Sequence, residues 1–181
     1  MTIRAKTAAG FIGLGVLIGG VRVAIRRHNE DAHRQPPSTN ARVEGAVAEW
    51  KPALEQEAGA TLNYSPASIA LAEKTLARLY TTRYRDSTDD KARTKEALHW
   101  GLYIGEVMRR ENGGWWEEAE ARLGIPFPLH LMKPHPNIVF PFNWCYGRLK
   151  NGAEDNVYNK YRFMTGEGYW KIEQARKKRT H

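Results

Sequence analysis

The segment that most constrains this chain lies between Ser87 and Gly114. Ser87-x-x-Asp90 resembles a capping box, with aspartate where glutamate or glutamine is usual. Asn112-Gly113-Gly114 is a strong helix stop. The interval predicts one helix running to Glu111. At roughly 100° per residue, Ala97, Leu98, Trp100, Gly101, Leu102, Ile104, Gly105, Val107 and Met108 cover well over half of its circumference. A stripe that wide belongs to a helix enclosed by other elements on most sides. Gly101 and Gly105 lie on that apolar side, where a missing Cβ permits close approach of a neighbouring backbone.

The flanking sequence supplies the enclosing elements. Val43, Val47, Trp50 and Leu54 recur at helical spacing over Val43–Ala58, and Pro52 is expected to end or kink that helix. Ser65-Pro66 provides an N-cap and a first-turn proline for a second helix, whose stripe is Ile69, Ala72, Leu76, Leu79 and Tyr80. Beyond Gly114 the pattern changes. Trp115-Trp116, Phe127–Leu131 and Asn137–Phe140 are short aromatic or branched runs that predict a small antiparallel sheet. Pro126, Pro128, Pro134, Pro136 and Pro141 keep its strands short. A helix from about Pro141 to Leu149 should stop at Asn151-Gly152, a last one should cover Glu154–Met164, and Tyr169-Trp170-x-Ile172 should pack before the tail. There is no internal repeat. The expected class is α+β: a helical half packed with a small antiparallel sheet and C-terminal helices.

The run Gly101-Leu-Tyr103-Ile-Gly105-Glu106-Val-Met-Arg109-Arg110, then Gly113-Gly-Trp-Trp116, Pro141-Phe142 and Asn151-Gly152, resembles a family of uncharacterised bacterial small domains. Their shared pattern is roughly G-x-Y-x-G-E-x-x-x-R…G-G-x-W…P-F…N-G, and the likeness covers about residues 87–165. It implies a bacterial origin and helices packed with a few strands, and it brings no activity with it.

The N-terminus has a different character. Thr7–Val21 carries no charge, and with Arg22 tolerated the apolar stretch runs on to Ile25. As a helix, such a stretch spans about 28 Å against a hydrocarbon core of roughly 30 Å. Arg22 is placed to snorkel. Gly15 and Gly19 form a G-x-x-x-G step suited to pairing of membrane helices, hence to a homo-oligomer. A cleaved leader competes with this reading, but the run is followed by VRVAIRR, which lacks a small-x-small cleavage site; an interfacial segment or an accidental apolar run is the other alternative. The expected organisation is an anchor at 1–27, a polar linker at 28–42, a globular domain at 43–173 and a basic tail at 174–181. Arg22, Arg26, Arg27 and Arg34 slightly outnumber Arg4, Lys6 and the α-amino group, so the globular domain of a single-pass protein is expected on the cytoplasmic side.

The net charge of +8 suggests nucleic acid until it is divided. Residues 1–42 carry +5 and residues 174–181 carry +4, whereas 43–173 holds 17 basic and 18 acidic side chains. A domain that grips phosphates needs a basic face on its fold, so nucleic acid is not an expected partner. Membrane lipid is, through the anchor and the Arg176-Lys177-Lys178-Arg179 tail.

Few residues suggest chemistry. Lys95, His99, Tyr103, Glu106 and Arg110 share one narrow face of the Ser87–Glu111 helix. One reading makes the stripe a polar site, with Glu106 as base or anion anchor, Arg110 as its partner, and Tyr103 and His99 as hydrogen-bonding groups. The other makes it the wet face of the helix, with Glu106–Arg110 an i,i+4 pair. Trp115 and Trp116 are candidates for core packing or for contact with a partner. Cys145, among aromatics in FNWCYG, reads as a buried structural thiol. His130, His135 and Cys145 match no ligand spacing, nor do His28 and His33, so neither metal nor cofactor is expected. No G-x-x-x-x-G-K, G-x-G-x-x-G, H-E-x-x-H or G-x-S-x-G motif occurs.

Three function classes follow. The first is a membrane-tethered, non-catalytic accessory domain that engages a protein partner, as a subunit of a larger assembly. The second is a small enzyme or ligand-binding domain built on His99, Tyr103, Glu106 and Arg110. The third, a nucleic-acid binder, ranks last.

Overall fold

Residues 37–118 and 127–166, described by a computed structural model, form an α+β body of five α-helices and a three-stranded antiparallel sheet. The expected anchor with Gly15 and Gly19, the Tyr169-Trp170 segment and the basic tail lie outside the described residues. Among the described residues, no helix is long and apolar enough to cross a membrane.

Helix α1 spans Pro37–Ala58 and so takes up the last part of the stretch expected to be a linker. Thr39 is 1% exposed, and the Asn40 side chain accepts the Trp116 N–H at 2.9 Å, so tertiary contacts extend the helix backward through a polar sequence. Pro52 does not end α1. It sits on the exposed face with Ala48, the residue whose carbonyl loses its N–H partner, so water can replace the missing bond. Val43, Val47 and Leu54 are buried on the opposite side, as their spacing predicts.

Helix α2 spans Pro66–Leu79 with Pro66 in its first turn. Ser65 occupies the N-cap position in extended conformation but makes no side-chain cap bond. Its hydroxyl donates to Asn63 Oδ1 instead, at 2.6 Å. The helix does not stop at Leu79. A five-residue π-turn, Tyr80–Tyr84, continues it. Such turns are rare, and nothing in the sequence predicted this one.

Helix α3, Asp90–Asn112, is the predicted centre. Its cap is Asp89, two residues later than the expected Ser87: Asp89 Oδ1 accepts the Ala92 N–H at 2.9 Å, while Ser87 Oγ accepts that of Asp89 at 3.1 Å. Residues 101–108 are all buried. Gly113, at φ +66°, ends the helix. Strands β1 (Gly114–Trp116), β2 (Leu129–Leu131) and β3 (Asn137–Val139) follow in spatial order. The register aligns Trp116, Leu129 and Val139 in a buried row, and period-2 alternation turns Trp115, His130 and Ile138 outward. Helix α4 (Pro141–Asn151), a 3₁₀ turn (Ala153–Asp155) and helix α5 (Val157–Thr165) complete the body.

The most extensive helix contact is α3 with α4. A Cβ on Gly101 would lie 2.6 Å from the Phe142 Cα, and one on Gly105 would lie 2.1 Å from the Trp116 ring. Both glycines therefore do what their position on the apolar arc implied: they let α4 and the β1 indole lie directly against the α3 backbone.

Candidate functional site

The polar stripe on α3 is wet only in part: Lys95 and Arg110 are exposed, and the residues between them are not. Glu106 and Tyr103 are 0% exposed. Oε1 of Glu106 accepts from Arg109 Nε at 2.8 Å and from Trp116 Nε1 at 2.7 Å; Oε2 accepts from Arg109 Nη2 at 3.1 Å and Arg110 Nε at 3.3 Å. Arg109 also reaches Glu44 on α1. The carboxylate thus ties together α1, α3 and β1. A buried charge persists only when it is paired and hydrogen-bonded, and Glu106 meets that condition with four donors from its own chain.

The same network continues outward. Arg110 lies over the Tyr64 ring at 3.7 Å. Tyr64 adopts φ +58°, a left-handed conformation that costs free energy in a non-glycine residue. Its ring holds Arg110, and its N–H donates to Tyr103 Oη at 3.2 Å. Tyr103 in turn donates to Ser68 Oγ at 2.8 Å, and burial pushes the Tyr103 hydroxyl pKa up. Tyr103, Glu106 and Arg110 are therefore brought into one connected structure, as the spacing implied. The structure is a strut.

His99 goes elsewhere. Its ring stacks on Trp50 with centroids 4.2 Å apart, on the wall of a cleft of about 780 Å³. Burial first, then nearby Lys95, lowers the His99 pKa. The cleft lies where the C-terminal end of α1 meets the π-turn and the first half of α3. Glu57 and Glu96 face each other there within hydrogen-bonding reach, with side chains only 17% and 14% exposed. Arg83, supplied by the π-turn, bridges them through Nη1 at 3.3 and 3.2 Å. Trp100 Nε1 donates to Glu57 Oε2 at 3.2 Å. Burial first, then the hydrogen bond that the protonated Glu96 donates to Glu57 and the charge of Glu57, push the Glu96 carboxyl up to about 7. Close carboxylates with a displaced pKa in a cleft are a recognised mark of function, and a π-turn at its edge is another.

Glu57, Arg83 and Glu96 were missed by sequence reasoning. They come from three elements and are separated by 26 and 13 positions, so no local spacing could group them. Only the one-turn relation of Glu96 to His99 was readable.

The remaining candidates lie apart from the cleft. Trp116 is fully buried. Trp115, half-buried on the outer sheet face, stacks on His130 at 4.7 Å, and His130 Nε2 lies 2.6 Å from Glu117 Oε2. Cys145 is fully buried, and burial pushes its thiol far up, which suppresses the thiolate. A second buried ion pair, Arg148 Nε to Glu73 Oε1 at 2.7 Å, joins α4 to α2, and Glu73 Oε2 accepts the Val157 N–H at 2.8 Å.

Comparison of the chain with known protein families, with curated proteins and with solved structures finds no match.

Proposed function

We propose that this chain is a membrane-tethered, non-catalytic accessory domain, held at the cytoplasmic face of a membrane by its N-terminal segment and working through a protein partner in a larger assembly. The observation that carries the tether is the uncharged Thr7–Val21 run with arginines on both flanks. The Gly15–Gly19 step supports self-association of the anchor. The non-catalytic part is supported by Glu106, whose two oxygens accept four hydrogen bonds from the chain itself and are spoken for. Glu106 and His99 are also seven residues apart on α3, about 10 Å along the helix axis. An acid–base pair at one reacting atom needs hydrogen-bond reach.

Washing membranes of the native host with carbonate tests the tether. The full chain should stay in the pellet, and protease added to sealed right-side-out vesicles should leave the domain intact. Quantitative release by carbonate overturns the tether, a mature N-terminus near residues 25–35 replaces it with a cleaved leader, and digestion in sealed vesicles reverses the orientation. The second reading, a ligand-binding domain, is favoured by one specific observation, the Glu57–Glu96 cleft.

A further inference from the structure

We propose that the cleft between α1, the π-turn and α3 is a receptor for one alkylguanidinium or alkylammonium group, with Glu57 and Glu96 as its two anionic contacts and Arg83 of the same chain as the occupant that the ligand displaces.

The two carboxylates line an open cavity, and the one side chain that bridges them there is Arg83. Arg83 reaches both through a single nitrogen at 3.2–3.3 Å. Charge-assisted N–H···O bonds are ordinarily about 2.7–2.9 Å, and a guanidinium that faces a carboxylate squarely donates two parallel bonds. Arg83 does neither, and 54% of its side chain is in water. It is a loose plug in a place shaped for a cation. The rest of the cavity limits which cation fits. Arg78 and Lys95 line it too, so each further positive charge on a ligand adds repulsion and a singly charged group meets the least. Two carboxylates with an arginine between them also fall short of a divalent-metal site, and among the described residues no group of three acidic, histidine or cysteine side chains is placed to hold a metal. Leu54, Ala53, Ala92 and the flat face of His99 offer an apolar wall for a hydrocarbon stem. A singly charged group on an alkyl stem is the chemistry that remains. It can come from a free small molecule or from an arginine or lysine side chain of a protein segment.

The groups that set the pH dependence are Glu57 on α1, Arg78 on α2, Arg83 and Tyr84 on the π-turn, and Lys95 and His99 on α3 around Glu96. Glu96 titrates near 7, and a cation gains most from the pair once both carboxyls are ionised. Binding should therefore weaken as pH falls through neutrality.

The test uses the full chain in detergent, with butylguanidinium and the capped peptide acetyl-Gly-Arg-Gly-amide as probes, read by calorimetry and by the Trp100 indole N–H resonance. Both probes should bind near pH 7.5 and shift that resonance. Removing the internal competitor with Arg83→Gln should tighten binding by about tenfold or more. Glu57→Gln and, independently, Glu96→Gln should weaken it by about tenfold, because each replaces a charged contact by a neutral one. Peptide binding without butylguanidinium binding assigns the site to a partner's side chain, and the converse assigns it to a free ligand. Failure of both probes to bind Arg83→Gln, with its melting unchanged, overturns the proposal. So does binding that Arg83→Gln leaves no tighter, or that a folded Glu96→Gln leaves equally tight. The readout does not depend on which side of a membrane the domain occupies, so the membrane reading can fail while this one stands.

Discussion

The indole Nε1 of Trp116 donates to Oε1 of Glu106 at 2.7 Å, and neither side chain has any exposed surface. Ten residues separate them, across the stop at Gly113 and the strand start at Gly114. The strand that follows the central helix is therefore folded back so that its indole meets a carboxylate on that helix, with Gly105 vacating the space its ring needs. Charge, ring and missing side chain act on one point.

That arrangement makes Glu106 a stability residue. Glu106→Gln is nearly isosteric but removes the charge facing Arg109 and replaces one acceptor by a donor. It should cost about 2–4 kcal/mol in denaturant unfolding, as breaking a buried pair does. Trp116→Phe, which deletes only the N–H donor and some ring volume, should cost about 1.5–3 kcal/mol. A change of less than about 0.5 kcal/mol for Glu106→Gln, the value for an ordinary surface substitution, would restore the wet-face reading.

Glycine replacements separate helix propensity from packing. Gly105→Ala gains about 1 kcal/mol of propensity, yet its Cβ falls 2.1 Å from the Trp116 ring, so the variant should be less stable by about 1–3 kcal/mol. Gly101→Ala meets the Phe142 backbone and should behave alike. Gly45, in α1, has nothing within 4 Å of its would-be Cβ, and Gly45→Ala should stabilise by about 0.5–1 kcal/mol. Opposite signs from the same substitution are the expected signature in thermal melts.

The carboxyl pair predicts an unusual pH profile. Glu96 holds its proton to about 7 in the fold against 4.5 for an ordinary glutamate. Between those values the folded state binds more protons than the unfolded one, so this group's contribution to stability falls as pH rises from about 4.5 to 7 and is flat beyond. His99, its pKa lowered by burial, acts with the opposite sign in the same region. The difference between wild type and Glu96→Gln isolates the glutamate. The variant should melt higher above pH 7, and its advantage should shrink on acidification and vanish below about pH 4.5. Parallel profiles would mean that Glu96 is not held protonated.

Where α1 begins has a practical consequence. A chain starting at Pro36 keeps Thr39 and the Asn40 acceptor for the Trp116 N–H, whereas one starting at Ala41 leaves that donor unpaired beside the core. The shorter chain should be less stable by about 1–3 kcal/mol in parallel urea titrations. Equal midpoints would show that the first turn of α1 contributes nothing.

Most of the secondary structure was legible in the sequence. Periodicity located the buried sides of α1, α2 and α3, the prolines and glycines marked the short strands, and Gly101 and Gly105 announced close contacts that the fold then makes. The errors cluster where a local signal yields to a distant partner. The turn before Val43 is helical because Asn40 caps a strand 76 residues away. The π-turn after Leu79 places Arg83 against Glu57 and Glu96, which no local spacing encodes.

The division follows the range of the forces. Turn chemistry, capping and hydrophobic alternation act over a few residues, so the sequence by itself determined which segments are helix or strand, which side each buries, and that the basicity sits at the two ends of the chain. Whether a polar residue on a helix meets water, an ion pair or a cleft depends on what other elements bring beside it. Lys95, His99, Tyr103, Glu106 and Arg110 share one stripe, yet Glu106 becomes a buried strut, His99 a stacked, half-buried wall of a cleft, and Lys95 an exposed charge lining the same cleft. Helical geometry is common to all five. Only the packing of α1, β1 and the π-turn around α3 sets the dielectric and the partners that each side chain finds, and those two quantities decide what it does.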